Sequence, residues 1–232
     1  MADYLWVGLL GVLGVIVVLA IRLRRVFAQR PRYAAHWQTG NERPPQPDSL
    51  HMVVLGDSIM QGIGASSPEK GLAGLAVSYI AEQTGRSVRL TNLSRTGAKV
   101  AEVVANQLPL APLEEADIVL VTVSANDAVR GVPLPEYRAH LEELLKQLPA
   151  EKTIVADVAL VKAHPVYQPI MRELADSHGV CRAKLATTFA DAGSPLKLVA
   201  GDFFHPNDRG YRMWFAAFLP EMRALLAKKG LT

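Results

Sequence analysis

The stretch MVVLGDSIMQGIGA, residues 52–65, holds a short apolar run that ends at Gly56 and is followed by Asp57, Ser58 and further glycines. A short apolar run closed by glycine predicts a buried strand, and the glycine-rich residues after it predict a turn. Apolar residues then recur at helical spacing until Gly85, where a helix is expected to stop. The stretch therefore predicts a strand, a turn and a helix in succession, with Ser58 in the turn.

The alternation of strand and helix continues along the rest of the chain. Further strands are predicted at 87–93, 117–124 and 153–160, with a weaker one near 180–186, and further helices at 98–108, 135–148, 166–178 and from about 208. Pro220 is expected to kink or split the last helix. Continuous apolar strands that alternate with helices imply an α/β fold, in which a parallel sheet is covered on both faces.

The N-terminal region has a different character. Tyr4 to Ile21 are 18 residues without a charge, and a helix of that length spans about 27 Å, close to the core of a bilayer. We expect a transmembrane anchor at 1–25, a basic, Pro-rich linker at 26–50 and a folded domain at 51–232. A buried helix or a cleaved signal peptide is the alternative, although the Met-Ala-Asp start and the arginines that follow are unlike a signal peptide.

Charge is distributed unevenly between these regions. The chain has 25 Lys and Arg and 22 Asp and Glu, and residues 1–50 hold six arginines but three acidic residues. The domain at 51–232 is therefore neutral, which argues against a nucleic-acid partner. The arginines after the apolar span are expected to meet anionic lipid headgroups and to place the domain on the cytoplasmic side of a single-pass membrane protein.

Cysteine gives little information about function. Cys181 is the single cysteine, so the chain has no intrachain disulfide. We expect it to be a small buried apolar residue rather than a nucleophile, because no supporting motif surrounds it.

Four short segments carry polar residues that suit catalysis. They are Gly56-Asp57-Ser58, NLSRTGA with Gly97, SANDA with Asn126, and GDFFHPNDRGY with Asp202 and His205. Loops that follow neighbouring parallel strands open on the same edge of the sheet, so these segments can converge although they are far apart in sequence.

The residue types in these segments suit acyl transfer. A serine hydroxyl such as that of Ser58 needs a base to become a nucleophile, and an imidazole such as that of His205 is suited to that work. Asp202 lies three residues before His205 and can reach its ring to fix the tautomer. The N–H groups of Ser58 and Gly97 and the amide of Asn126 can donate hydrogen bonds to an oxyanion.

The four segments resemble the four blocks of the SGNH (GDSL-type) hydrolase family, over about 180 residues from Met52 to the end of the chain. The resemblance implies a catalytic triad of Ser58, Asp202 and His205, and an oxyanion hole formed by Ser58, Gly97 and Asn126. It also implies a three-layer α/β/α fold, similar to flavodoxin, with about five parallel strands and no cofactor.

One position departs from the family pattern. The third block is usually Gly-x-Asn-Asp, and Ser124 stands here where glycine is expected. If that position needs a positive φ, serine adds strain of about 1 kcal/mol or more.

Within the family, the compact form of the domain resembles the thioesterase and lysophospholipase type, which implies lipid or other acyl esters as substrates. A carbohydrate O-acetylesterase is the main alternative. A catalytically silent binding domain on a membrane tether is another, but Ser58, Asp202 and His205 are all present. Asp57 and Asp127 are expected to bond local backbone amides.

No other motif in the sequence points to a different chemistry. No cluster of His, Cys and Asp has metal-ligand spacing, so no metal is expected. The glycines after Ser58 do not form a phosphate-binding loop, because no Gly-Lys-Ser/Thr follows them. The other histidines are expected on the surface or in packing roles; they are His36, His51, His140, His164 and His178.

Overall fold

The structure of the chain is a computed structural model, and it describes residues 2–159, 164–189 and 194–231, with side chains from residue 10 onward except at 195. Within those ranges five strands form one parallel sheet in the order β2-β1-β3-β4-β5. The strands are β1 (Leu50–Gly56), β2 (Val88–Asn92), β3 (Ile118–Thr122), β4 (Thr153–Ala156) and β5 (Cys181–Ala183). The predicted α/β fold with about five parallel strands is confirmed, and the strand order is that of flavodoxin.

Helices connect these strands. They are α1 (Ala2–Asn41), α2 (Ser58–Gln61), α3 (Leu72–Thr84), α4 (Val100–Asn106), α5 (Ala125–Arg130), α6 (Leu134–Gln147), α7 (His164–Ser177), α8 (Leu185–Phe189) and α9 (Asp208–Lys228). The fourth strand, predicted at 153–160, ends at Ala156, and residue 160 lies outside the described residues.

The alternation of side chains along β1 builds the three layers. Val53 and Leu55 face a core shared with α4, α6 and α7. Met52 and Val54 face a second core shared with α3 and α9. Because successive side chains of a strand point to opposite faces, the apolar run that opens the stretch at 52 serves both cores at once.

The expected break at Pro220 does not divide the last helix. Helix α9 continues from Asp208 to Lys228 with Pro220 inside it. A proline in a helix interior costs about 3 kcal/mol, but Phe218 and Met222 on either side of it are fully buried. Burial of one such side chain contributes roughly 1.5–3 kcal/mol, which offsets that cost.

The N-terminal region differs from the predicted linker at 26–50. Helix α1 runs without interruption to Asn41 and includes Pro31. Val26, Tyr33 and Trp37 are buried against the domain, so residues 26–41 are a packed helix rather than an extended connection. The aromatic residues at helical spacing supply a packing face that the proline-rich composition concealed.

The predicted membrane anchor falls in the first half of α1. The side chains of residues 1–9, where one third of the apolar span lies, are outside the described ones. Across the described part of the chain, none of the helices has the length and apolar character needed to cross a bilayer.

The environment of Cys181 corrects one prediction. The residue is exposed rather than buried. It opens β5, the last strand in the sheet order, and it lies at the edge of the sheet beside Glu221 of α9.

Candidate active site

The turn after β1 is fixed by a close approach between two strands. Gly56 has φ +136°, and a Cβ on it would lie 1.9 Å from the carbonyl oxygen of Thr122 at the end of β3. Asp57 then caps α2, because its Oδ1 accepts the N–H of Ile59 at 3.0 Å. Ser58 is thereby held as the first residue of a short helix, at the carboxyl edge of the sheet.

The structure brings Ser58, His205 and Asp202 into one chain of hydrogen bonds. His205 Nε2 lies 2.8 Å from Ser58 Oγ, although the two residues are 147 positions apart. The other ring nitrogen, Nδ1, lies 2.5 Å from Asp202 Oδ2. Ser58 and His205 are both buried, so solvent has little access to the bond between them.

Asp202 is held by its own loop. Its Oδ1 accepts the backbone N–H groups of Phe204 and His205, both at 3.1 Å. Burial alone would raise the pKa of Asp202, but the hydrogen bonds and charge of His205 outweigh burial and hold that pKa below its ordinary value. Asp202 is therefore an ionised acceptor at neutral pH, and it can fix the orientation of the imidazole.

Two further predicted residues line the same edge. Gly97 has φ +84°, and a Cβ on it would lie 3.2 Å from Arg130 Nη2. Asn126 donates from Nδ2 to Asp57 Oδ2 and to the carbonyl oxygen of Ala98, both at 3.1 Å. An amide has two hydrogens, so Asn126 must release one of these bonds before it can donate to a substrate.

Asp57 and Asp127 were both expected to accept hydrogen bonds from local backbone amides. The expectation is confirmed for Asp57, which accepts the N–H of Ile59. Asp127 instead reaches another segment, where its Oδ2 accepts the N–H of Val100 at 3.1 Å at the start of α4. Burial raises the pKa of Asp57 to about 6, against the opposing effect of the Ile59 N–H. Burial likewise raises the pKa of Asp127.

Ser124 occupies the position at which the family has glycine, and its φ is +83°. The positive φ is the condition under which strain was expected, at a cost of roughly 1 kcal/mol or more. The side chain is fully buried, and its Oγ accepts a hydrogen bond of 2.9 Å from the Tyr137 hydroxyl. The serine therefore strains the backbone but provides a partner for a buried hydroxyl.

Two glutamines that no motif in the sequence singled out hold the site together. Gln107 binds both main-chain groups of Gly56, accepting its N–H at 2.8 Å and donating to its carbonyl at 2.9 Å. Gln61, the last residue of α2, accepts the N–H of Thr96 at 3.1 Å and donates to the carbonyl of Ser94 at 3.0 Å. Gln61 thus ties the turn of Ser58 to the loop of Gly97.

Comparisons with known proteins agree with this arrangement. The GDSL-like Lipase/Acylhydrolase family model matches residues 54–213. A GDSL-like esterase of Mycobacterium tuberculosis is 26% identical over 208 residues, which are 79% of this chain and 65% of that protein. The chain thus spans less than two thirds of the length of this relative.

Solved structures share the fold. TesA has a TM-score of 0.64 at 20% identity, with 76% of this chain and 99% of TesA covered. A family 3 carbohydrate esterase of Clostridium thermocellum has a TM-score of 0.62 at 15% identity, with 77% of this chain and 99% of that chain covered.

Proposed function

The chain belongs to the GDSL-like lipase/acylhydrolase family, and we propose that it is a serine hydrolase that cleaves carboxylic esters through an acyl-enzyme on Ser58. The observation that carries the proposal is the 2.8 Å contact between Ser58 Oγ and His205 Nε2, with Asp202 on the opposite ring nitrogen. A nucleophile, a base and an orienting carboxylate in this geometry are the parts that acyl transfer requires.

The first half of the reaction forms the acyl-enzyme. Ser58 Oγ attacks the ester carbonyl carbon while His205 Nε2 takes the hydroxyl proton, and Asp202 stabilises the resulting imidazolium. The N–H groups of Ser58 and Gly97 and one amide hydrogen of Asn126 hold the oxyanion. The bond between the carbonyl carbon and the alkoxy oxygen then breaks, and His205 gives its proton to the leaving alcohol.

The second half uses the same groups on water. His205 takes a proton from water, the hydroxide attacks the acyl carbon, and the bond to Ser58 Oγ breaks. Ser58 regains its proton from His205, and the carboxylic acid leaves. Atoms and protons balance without a cofactor or metal in either half.

Hydrolysis of a short p-nitrophenyl ester by the full chain tests this proposal. Ser58→Ala is expected to lower kcat at least about 1,000-fold, because the remaining groups bind substrate but lack the nucleophile. Ser78→Ala is the matched control, since Ser78 is an exposed serine of α3. Equal rates for the two variants would contradict a role for Ser58 as nucleophile.

For the substrate we propose a lipid-like acyl ester, of the kind that lysophospholipases or thioesterases cleave. Phe203 and Phe204 precede His205 and are 55% and 50% exposed. Val129, in the helix that carries Asn126, is exposed too. Large exposed apolar side chains on the segments that carry His205 and Asn126 suit a long acyl chain better than a sugar, because burying them against such a chain is favourable.

We further propose that α1 holds the chain at a membrane as a single-pass anchor, with the domain on the cytoplasmic side. Most of its described apolar residues N-terminal to Arg22 are exposed, among them Leu10, Val12, Leu13, Val15, Ile16, Val17, Val18 and Ile21. Arg22, Arg24 and Arg25 follow them. Gly201 packs against Arg22, with a Cβ on Gly201 only 2.7 Å from the Arg22 Cβ, so the loop of Phe203 and Phe204 lies where the apolar half of α1 leaves the domain.

Membrane attachment is tested with the full chain expressed in cells. The chain is expected to stay in the membrane fraction after a carbonate wash, and its domain is expected to resist protease added from outside intact cells. Recovery of the chain in the soluble fraction would contradict an anchor, and cleavage of the domain from outside would contradict the cytoplasmic orientation.

A carbohydrate O-acetylesterase is the second candidate, and the shared fold with the carbohydrate esterase of Clostridium thermocellum favours it. A series of p-nitrophenyl esters from acetyl to dodecanoyl separates the two. We expect kcat/KM to rise with chain length, and a strong preference for acetyl would instead support the carbohydrate substrate. A binding domain without activity would leave Ser58 unlabelled by a fluorophosphonate probe.

A further inference from the structure

Four side chains of α1 form a polar stripe that faces the domain. The residues of the stripe are Gln29, Tyr33, Trp37 and Asn41, spaced by four so that they share one side of the helix. Each donates a hydrogen bond from its side chain to a main-chain carbonyl of the domain. Helix α1 lies outside the residues 54–213 that match the family model, so the stripe is an addition to what that model describes.

The first half of the stripe binds the segment that follows α2, the helix that begins at Ser58. Gln29 Nε2 donates to the carbonyl of Ala65 at 2.9 Å, and Gln29 Oε1 accepts the N–H of Gly64 at 2.8 Å. The Tyr33 hydroxyl donates to the same Ala65 carbonyl at 2.9 Å. Tyr33 also packs on Ile63, which is fully buried. This segment therefore rests on α1 through both polar and apolar contacts.

The second half of the stripe binds the end of the nucleophile helix and an edge strand. Trp37 Nε1 donates at 3.1 Å to the carbonyl of Gln61, the last residue of the helix that begins at Ser58. Asn41 and Asn92 exchange two bonds, at 2.9 and 2.8 Å, between the Asn41 amide and the main chain of β2. Carbonyls at helix ends need partners from outside the helix, and α1 supplies the partner of the last carbonyl of α2, that of Gln61.

The segment 61–65, which α1 holds, also contacts the loop of His205, the proposed general base. A Cβ on Gly64 would lie 2.9 Å from His205 Cβ and 2.3 Å from the carbonyl oxygen of Pro206. The main chain at Gly64 is thus confined between Gln29 on one side and the His205 loop on the other. A shift of this segment would change the separation of Ser58 Oγ and His205 Nε2, which is now 2.8 Å.

We propose that the polar stripe of α1 is a positioning element for catalysis, which holds the segment 61–65 so that Ser58 and His205 keep their reactive geometry. The inference rests on the proposed ester hydrolysis and deepens it. It follows that α1, the helix proposed as the membrane anchor, is also part of the active-site framework. An error of about 1 Å in the placement of reacting groups can cost about 100-fold in rate, so small displacements at Gly64 matter.

Two glutamines of α1 give a matched pair of variants for the test. Gln29→Met removes both hydrogen bonds and keeps the length of the side chain, whereas Gln38→Met makes the same change at an exposed position of the same helix. On a soluble ester, the full chain with Gln29→Met is expected to lose about tenfold or more in kcat, with KM changed less than about twofold. Gln38→Met is expected to keep the kinetics of the unaltered chain.

A purely structural role of the stripe predicts a different result. It would lower the melting temperature of Gln29→Met while leaving kcat and the rate of fluorophosphonate labelling at Ser58 unchanged below the transition, and this outcome would overturn the proposal. If Gln29→Met does not fold, Trp37→Phe is the second variant, because it keeps an aromatic ring and removes the bond to Gln61. Failure of the unaltered chain to label at Ser58 would count against the ester hydrolase itself rather than against the stripe.

Discussion

Asp57 is a carboxylate buried directly before the proposed nucleophile, and we expect Asp57→Asn to stabilise the fold at neutral pH while it slows catalysis. Asp57 is 2% exposed, and burial raises its pKa from 3.8 to about 6. A change of that size corresponds to about 3 kcal/mol of unfavourable free energy for the charged form in the folded state. Asparagine carries no charge, so the variant avoids this desolvation.

The sign of the pH dependence follows from the raised pKa. The unfolded carboxyl has a pKa of about 3.9, so the folded state binds more protons than the unfolded state between about pH 4 and 6. Stability from this group is therefore present below pH 4 and is lost as the pH rises through about 6. Relative to the unaltered chain, Asp57→Asn should gain about 3 kcal/mol in free energy of unfolding from pH 4 to 7.

Urea unfolding at several pH values between 4 and 7, followed by tryptophan fluorescence, measures this difference. Asp48→Asn, at an exposed carboxylate, is the control and should show little pH-dependent change. The difference between two proteins cancels the other titrating groups, which are common to both. A difference for Asp57→Asn that stays constant within about 0.5 kcal/mol across this range would refute the assignment of a strongly raised pKa.

The same variant should be catalytically impaired. Asp57 Oδ2 accepts the amide of Asn126 at 3.1 Å, and Asp57 Oδ1 accepts the N–H of Ile59. An asparagine at 57 that keeps the bond to Ile59 turns its own amide hydrogens towards those of Asn126, and the two donors repel. We expect kcat to fall about tenfold or more, since a misplaced oxyanion donor typically costs at least that much.

Three further predictions concern the carboxylate of the triad, the strained serine and a buried ion pair. Asp202→Asn should lower kcat about 1,000-fold or more in the p-nitrophenyl ester assay, because an amide cannot stabilise the imidazolium; a loss below about tenfold would contradict its role. Ser124→Gly should relieve about 1 kcal/mol of strain but leave the Tyr137 hydroxyl without its partner at a cost of about 1–3 kcal/mol, so urea unfolding should show no net gain. Arg182→Leu should destabilise the fold by about 3 kcal/mol in thermal unfolding, because Asp157 loses its 2.8 Å partner inside the protein, and Asp157→Asn in the same chain should restore part of the loss.

The sheet and the location of the site could be predicted because they depend on patterns within short segments. An apolar run closed by Gly56 predicts a strand wherever it occurs, and parallel topology then brings the turns after β1 and β3 to one edge. The identities of Ser58 and His205 followed from their segments, while the distance between them required the fold. The strain at Ser124 was predicted only for the case that its φ is positive, because a sequence does not specify a dihedral angle.

The contacts of α1 and of the two glutamines could not be predicted in this way. Gln61 and Gln107 act through amides that reach main-chain groups 33 to 51 residues away, and a buried glutamine has no local signature. At 26–50, prolines and arginines favoured a linker, although Tyr33 and Trp37 at a spacing of four were a helical signal. The burial of Tyr33 and Trp37 depends on where the tertiary fold places α2 and the segment after it, and a local sequence pattern does not contain that position.

The edge of the sheet that carries the site contains two residues whose conformation or charge is energetically unfavourable. Asp57 is a buried charge, and Ser124 has a backbone angle that serine rarely adopts. Such features persist only where many neighbouring contacts hold them in place. Here those contacts include the hydrogen bond of Gln107 with Gly56 and those of the stripe of α1 with the segment after Ser58. Asp57→Asn, which removes the buried charge, should raise stability and lower activity, whereas Gln29→Met, which weakens the contact of α1 with this segment, should lower activity with no gain in stability. The change in stability therefore separates a substitution that removes an unfavourable feature of the site from one that weakens the support of the site.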